Sequence, residues 1–406
     1  MNYQVKPVYG KIKNGRMEVS VPGSKSITAR ALLIAALANG ESTLYGAQFS
    51  DDCRTFLNCL KDLGICASVD KTTVKITGCG GKLTKKSAKI NVGSAGTAAR
   101  FLPAFLAFQN GEYTLDCSEQ MKRRPIAPLV SALESVGAKF TFLEKENSYP
   151  FIICGTATPT TGVEVDVTES SQFLSALIIS SVCAGSPFTV TPRGAHGLEY
   201  VKMTVKMAAE FGVKVGENCG KYTVNGAYSS REYRIEPDVS AACYFYAMNK
   251  ILGTEISVKG VTSHSLQGDG KFLELLRSFD GGVVDMGGFS DQTLTLAAIA
   301  PYFNNPTEIR GVSHIRGQEC DRITAITHNL NAMGVRCEEF SDGVKIYPSQ
   351  PEPAVIKTFG DHRVAMSFAL TGLRAQGIVI ENAEVCCKTF KNYFDLLDEV
   401  CGKLIR

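Results

Sequence analysis

Apolar residues fall along this chain in six long runs, each opened by Ser or Asp and followed by a turn and a strand-like stretch. The openings are Ser24 (SKSITARALLIAALANG), Ser94 (SAGTAARFLPAFLAFQNG), Ser170 (SSQFLSALIISSVCAG), Asp238 (DVSAACYFYAMNKILG), Asp291 (DQTLTLAAIAPYFNN) and Asp361 (DHRVAMSFALTGLRAQG). Ser and Asp are good helix N-caps because their side-chain oxygens accept a first-turn N–H, and Gly tolerates the left-handed conformation that ends a helix. Five runs end in Gly40, Gly111, Gly185, Gly253 and Gly377. The pattern predicts six helices that are apolar all round and therefore lie inside.

Each run is followed by a second helix with one buried face, as in FLNCLKDLG, where Phe56, Leu57, Leu60 and Leu63 recur at helical spacing. LVSALESVG, VKMAAEFG and ITAITHNLNAMG repeat the theme, and KITGCGG, YTVNG and VKIYPS read as strands. Six α/β units of about 65 residues are too large for a solenoid and suit two globular domains of three units. The division falls near Asp238. The stretch before Ser24 belongs to no unit and is a strand for either domain.

Composition narrows the function. A net charge of +3 from 43 basic and 40 acidic residues describes neither a basic nucleic-acid arm nor an acidic tail. With 44% hydrophobic residues the chain has ample material for folded cores. No apolar run reaches the roughly 18 residues of a membrane span, and the N-terminal stretch lacks a signal-peptide apolar core. These features predict a soluble cytoplasmic protein. The 14 cysteines are scattered singly apart from Cys386-Cys387, which suits reduced thiols, and neither a CxxC pair nor HExxH suggests a metal site.

The residues least suited to core packing gather at the openings of the apolar runs: Lys25, Ser26 and Arg30; Ser94, Gly96, Thr97 and Arg100; Ser170, Ser171 and Gln172; Asp291; Asp361, His362 and Arg363. Convergent helix N-termini carry unpaired N–H groups and partial positive charge, so with Lys and Arg nearby they favour phosphate or carboxylate. The plainer reading is that Ser, Thr and Asp only cap. Lys25, Arg100 and Arg363 tilt the balance, since cations in a first turn oppose the dipole by roughly 0.3–1 kcal/mol unless an anion compensates. GxxxxGK[ST] is absent, so no nucleotide is implied. MKRRPIAPL places three cations before a proline, a run that is also common on solvated surfaces. GQECDRI sets Glu319, Asp321 and Arg322 ahead of a helix, where acids also serve the dipole.

VPGSKSITARALLIAALANG, GSAGTAARF, MKRRPIAPL, ESSQFLSAL, RGQECDRI, GDHRVAM and KTFKNYF resemble, in that order and over essentially the whole chain, motifs of the 5-enolpyruvylshikimate-3-phosphate synthase family. The resemblance implies a two-domain inside-out α/β barrel of six βαβαββ units, three per domain. It implies an N-terminal domain of residues 23–238, a C-terminal domain of 1–22 plus 239–406, and an active site in the cleft between them. It implies transfer of the enolpyruvyl group of phosphoenolpyruvate to the 5-hydroxyl of shikimate 3-phosphate by a cytoplasmic monomer, without metal or organic cofactor, nucleic acid or membrane.

By the same resemblance Ser26, Arg30, Ser170, Ser171 and Gln172 hold shikimate 3-phosphate. Lys25, Gly96, Arg124, Arg322, Arg363 and Lys388 surround phosphoenolpyruvate, with Lys25 reaching both substrates. Asp291 binds the hydroxyl as its base, Glu319 donates a proton to the methylene carbon, and Lys25 shares in catalysis. Arginine suits such places because its planar fork binds carboxylate or phosphate through two charge-assisted bonds. The chain departs from the family at Gln318, where lysine is frequent and a cationic substrate contact becomes neutral. It departs also at Gly197 and His314, where serine and asparagine are common, and at Phe101, where proline is frequent. Tyr200 is retained. The sister family, UDP-N-acetylglucosamine enolpyruvyl transferase, has KN where this chain has Lys25-Ser26 and carries a reactive loop cysteine. Cys117 before Arg124-Pro125 superficially fits that cysteine, and strand or loop packing is the plainer account of it. A noncatalytic anion-binding protein on the same fold is the remaining alternative, disfavoured by the lack of a basic stripe with interleaved aromatics.

Overall fold

The computed structural model describes residues 1–194 and 197–406, which fall into two compact units: Gly23–Glu236, and Met1–Pro22 with Pro237–Arg406. In the first unit the apolar runs form helices Lys25–Leu37, Ala98–Ala107 and Gln172–Ser180. Every residue from Ile27 to Leu37 and from Ala98 to Ala107 is buried, as the absence of a polar face requires. The second helices, Asp51–Asp62, Ala127–Val136 and Leu198–Glu210, bury one face and expose the other.

Three four-stranded sheets of one design accompany these helices. In the middle one, Ser87–Asn91 runs parallel to Glu112–Asp116, which pairs antiparallel with Phe151–Cys154 and through it with Lys139–Phe142. A parallel pair needs a crossover, and helix Ala98–Ala107 supplies it. Gly162–Asp166 and Phe188–Arg193 repeat the parallel pairing around helix Gln172–Ser180. The remaining sheet takes Glu232–Arg234 from the end of the unit and pairs it parallel to Glu41–Tyr45.

The other unit repeats the scheme less regularly. Helices Val239–Leu252, Thr293–Ile299 and His362–Thr371 are its apolar runs. Only one sheet here has four strands, built on the parallel pair Gly282–Asp285 and Thr307–Arg310. The N-terminal segment contributes Arg16–Val19, parallel to Glu255–Val258, and Tyr3–Gln4, antiparallel to Ile378–Ile380. The expectation of barrels is therefore corrected: among the described residues the sheets are open and carry two to four strands each, because no pairing joins the outer strands of a sheet. Among the described residues no helix is long and apolar enough to cross a membrane, and no group of His, Cys, Asp and Glu is arranged to hold a metal ion.

Candidate active site

Three of the six opening residues cap as predicted. Ser24, Asp238 and Asp361 accept from the backbone N–H of Ile27, Ala241 and Arg363 at 3.4, 3.1 and 2.8 Å. The other three do different work. Helix Ala98–Ala107 starts well after Ser94, whose hydroxyl instead meets that of Ser118 at 2.8 Å. Ser170 lies outside its helix and accepts from Gln172 N at 3.3 Å. Asp291 sits in the short turn Ser290–Gln292 and gives its carboxylate to two arginines.

In the Gly23–Glu236 unit, Lys25 opens its helix with Nζ 2.5 Å from the carboxylate of Asp52, which is only 4% exposed. One turn on, Arg30 is buried, and its guanidinium is fixed by Thr204 Oγ1 at 2.8 Å, Ser26 O at 3.1 Å, and Ser175 Oγ and Tyr200 O at 3.2 Å each. Burial pushes the Arg30 guanidinium down to about 10, which leaves it charged at neutral pH. Phe101, where the resemblance leads one to expect proline, lies beneath the Arg30 guanidinium at 5.5 Å. Ser171 is buried at the start of helix Gln172–Ser180, and the side-chain oxygen of Gln172 is shielded with no hydrogen-bond partner among the described residues. A shielded acceptor of this kind fits a ligand hydroxyl.

The cation run MKRRPIAPL resolves into three fates. Lys122 pairs with Glu119 and Glu144 at 2.8 and 2.9 Å, and Arg123 points to solvent. Arg124 turns toward Gly96, so closely that a Cβ there would lie 2.8 Å from Nη1. Arg100 supports this arrangement from below, donating to Pro125 O at 2.9 Å and Gly96 O at 3.5 Å. Gly197 adopts φ +64°, and a Cβ on it would meet Ser171 Oγ at 2.5 Å, so a serine there would strain the backbone and have to displace Ser171.

Cys117 is 8% exposed and donates to Ser118 O at 3.4 Å. Burial first, then Asp116, pushes its thiol up to about 12, the opposite of what a nucleophilic thiolate needs.

In the other unit the chemistry is organised around Arg322, whose side chain is 2% exposed. It reaches Asp291 at 3.2 Å, Glu319 at 2.9 Å and Asp361 at 2.8 Å, and donates to Gln318 as well. Burial works to lower its pKa, but Asp361, Glu319 and Asp291 together raise it above the ordinary value. Arg363 takes the other oxygen of Asp291 at 2.8 Å, and Lys388 takes the other oxygen of Glu319 at 3.2 Å. His314 meets Ser290, the neighbour of Asp291, at 2.8 Å. The two candidate acid–base carboxylates are thus held on a single guanidinium, with two further cations beside them. Gln318 serves this cluster as an acceptor for Arg322.

Of the residues that the resemblance implies for substrates and acid–base work, Asp291, Gln318, Glu319, Arg322, Arg363 and Lys388 share one network of ion pairs and hydrogen bonds, while Lys25, Gly96 and Arg124 belong to the other unit. Sequence reasoning missed Asp52, which looked like an ordinary first-turn acid of helix Asp51–Asp62, and the buried supports Ser175 and Thr204. Asp361 stood out only as a helix opening. Its position two residues before Arg363 was the available signal.

The chain matches the family model described as EPSP synthase (3-phosphoshikimate 1-carboxyvinyltransferase) over residues 10–283 and 276–397. It is 40% identical to a 3-phosphoshikimate 1-carboxyvinyltransferase of Trichormus variabilis, covering 95% of this chain and 96% of that protein. It is also 40% identical to a protein of the same name from a Nostoc species, covering 93% and 94%. Among solved structures, EPSP synthase from Acinetobacter baumannii superposes with a TM-score of 0.81 over 98% of each chain, at 22% identity, which speaks for the fold.

Proposed function

The chain belongs to the EPSP synthase family, and from that premise we propose that it transfers the enolpyruvyl group of phosphoenolpyruvate to the 5-hydroxyl of shikimate 3-phosphate and releases phosphate. The observation that carries the assignment of roles is the pair Asp291 and Glu319 on Arg322, at 3.2 and 2.9 Å. Asp291 accepts the proton of the 5-hydroxyl as its oxygen attacks C2 of phosphoenolpyruvate. Glu319 delivers a proton to the methylene carbon, giving a tetrahedral ketal. The C2–O bond to phosphate then breaks as the departing phosphate takes up the proton held by Asp291, the methyl carbon gives a proton back to Glu319, and the enol ether forms. Atoms balance without metal or organic cofactor.

Arg124, Arg322, Arg363 and Lys388 are the cations for the phosphate and carboxylate of phosphoenolpyruvate, with Gly96 leaving room for Arg124. Ser26, Arg30, Ser170, Ser171 and Gln172 are the contacts for shikimate 3-phosphate, Gln318 is a neutral contact, and Lys25 reaches both substrates. We read residues 23–238, and 1–22 with 239–406, as two domains of three βαβαββ units serving one pair of substrates. A covalent cysteine mechanism, as in the sister family, is opposed by the shielded, weakly acidic Cys117.

Phosphate release from phosphoenolpyruvate with each acceptor tests the reading. Turnover is expected with shikimate 3-phosphate, and turnover only with UDP-N-acetylglucosamine would refute it. Asp291→Asn and Glu319→Gln preserve shape and should lower kcat far more than they weaken substrate binding.

A further inference from the structure

A second aspartate lies behind Asp291. Asp269 precedes helix Gly270–Ser278 and is 3% exposed, yet its side chain does not cap that helix. Its Oδ2 accepts from Gln292 Nε2 at 2.9 Å and from the Ser240 hydroxyl. Its Oδ1 is shielded with no hydrogen-bond partner among the described residues. Gln292 is fully buried and passes the connection on, its Oε1 accepting from Thr295 Oγ1 at 3.1 Å. Because Gln292 directly follows Asp291 in the turn Ser290–Gln292, the bond from Asp269 anchors the element that aims Asp291 at its arginines.

A half-satisfied buried carboxylate is an expensive way to hold a glutamine amide, since a neutral asparagine oxygen accepts the same bonds without a buried charge. What the carboxylate adds is its charge. Asp291 faces Arg322 and Arg363, and two guanidiniums weaken a carboxylate as a base. A negative charge behind it opposes them.

Resting on the proposed function, we propose that Asp269 is a positioning residue for the reaction: through Gln292 it holds the turn that presents Asp291, and by its charge it keeps Asp291 able to accept a proton between two arginines. The surrounding groups agree. Helix Val239–Leu252 contributes Ser240 and Cys243, the latter donating to Asp269 O at 3.8 Å, with Asp238 acting on Cys243 by charge. Lys271 follows on the aspartate's own helix, Arg363 acts on Asp269 from helix His362–Thr371, and His314 reaches the same turn through Ser290. Glu319 and Asp361 share Arg322 with Asp291. Burial, and then the charge of Asp291, push the Asp269 carboxyl up to about 6, against the pull of Arg363 and the two hydrogen bonds. The charge on Asp269 therefore builds up as pH rises through about 6 and fades as pH falls through it, which gives the coupled pair an acidic limb near that pH.

The test is Asp269→Asn, which keeps an acceptor for Gln292 and removes the charge, assayed for phosphate release from about pH 5 to pH 9. We expect kcat to fall by roughly tenfold or more with KM changed by less than about threefold, the limb near pH 6 to disappear, and the melting temperature not to fall. A lower melting temperature with a pH profile of unchanged shape would mean a merely structural role and would overturn the proposal. Asp291→Asn provides a second measurement that needs no turnover. Carbon-13 NMR of labelled aspartate carboxyls should show the Asp269 midpoint falling when the neighbouring charge is removed, and an unmoved midpoint would also overturn the proposal. If the wild-type protein released no phosphate with shikimate 3-phosphate, the functional reading would fail, while the Asp269 midpoint would still decide the coupling.

Discussion

Replacing Gly96 with alanine isolates the role of Arg124, because the geometry separates function from stability. The new Cβ would lie 2.8 Å from Arg124 Nη1, 3.5 Å from Cζ and 3.7 Å from Nη2, where ordinary contact begins at 3.4 Å. Nη1 must therefore retreat by about 0.6 Å, enough to stretch a charge-assisted bond of normal length to the edge of hydrogen bonding. The clashing atom is the end of a flexible side chain, so the fold yields cheaply and stability should change by less than about 1 kcal/mol. A hydrogen bond to a charged partner contributes roughly 1.5–3 kcal/mol, and each 1.4 kcal/mol is about tenfold in affinity. The KM for phosphoenolpyruvate should accordingly rise by roughly 10- to 150-fold, toward the lower end if the arginine swings to recover part of the bond. Steady-state kinetics with phosphoenolpyruvate varied at saturating shikimate 3-phosphate, alongside thermal melts, measure both effects. An unchanged KM would refute Arg124 as a phosphoenolpyruvate contact, and a large loss of stability would show that Gly96 matters for packing alone.

Four further outcomes follow from the geometry. Arg322→Met leaves Asp361 and Glu319, 0% and 9% exposed, without their shared cation, and should destabilise by about 3–5 kcal/mol in urea unfolding, with Asp361→Asn recovering part of the loss; a loss under about 1 kcal/mol would contradict the picture. Gly197→Ser should weaken shikimate 3-phosphate in calorimetry by displacing Ser171, and tighter binding would contradict that. Cys117→Ser should keep most activity, and the wild-type thiol, pushed up to about 12, should react slowly with alkylating reagents at neutral pH. Asp269 binds its proton more tightly folded than unfolded, so between its ordinary value of 3.8 and about 6 the folded state carries the extra proton and stability falls as pH rises through that window. Asp269→Asn should therefore lose the wild type's fall in stability through that window and be the more stable protein above it, as read from unfolding at several pH values.

The apolar helices were legible because a run without a polar face has no place but the interior. The amphipathic second helices and the paired strands were legible from their spacing. Less legible was what each opening residue does. Ser24, Asp238 and Asp361 cap, whereas Ser94, Ser170 and Asp291 do not, and nothing in residue type separates the groups. The difference comes from what other segments bring opposite them: Ser118 to Ser94, and Arg322 with Arg363 to Asp291. The same holds for the cations of MKRRPIAPL, where Glu144, from a distant hairpin, takes Lys122 and leaves Arg124 for Gly96. Asp52 and Asp269 were invisible for the same reason, since Lys25 and Gln292 stand far from them in sequence. The open sheets, and the loss of strand regularity in the unit holding Asp291, depend on long-range pairing that local patterns do not encode.

The ion pairs also bear on how the acid and the base acquire their strength. Lys25 rests on Asp52, Arg363 on Asp291, Lys388 on Glu319, and Arg322 on both of the latter carboxylates. Within each unit these pairs offset the charge of the cations, so that Arg322, Arg363 and Lys388 are held close together without an anion from outside. On the roles proposed above, the phosphate and carboxylate of phosphoenolpyruvate would draw Arg322, Arg363 and Lys388 toward themselves and take cationic support from Asp291 and Glu319 together. A carboxylate that loses neighbouring cations holds a proton more tightly in general. Such a change would suit both proposed roles, Asp291 as base toward the 5-hydroxyl and Glu319 as donor to carbon. One change in charge therefore serves opposite roles, and it takes place only with phosphoenolpyruvate bound. Asp269 fits the same scheme, because it interacts by charge with both Asp291 and Arg363.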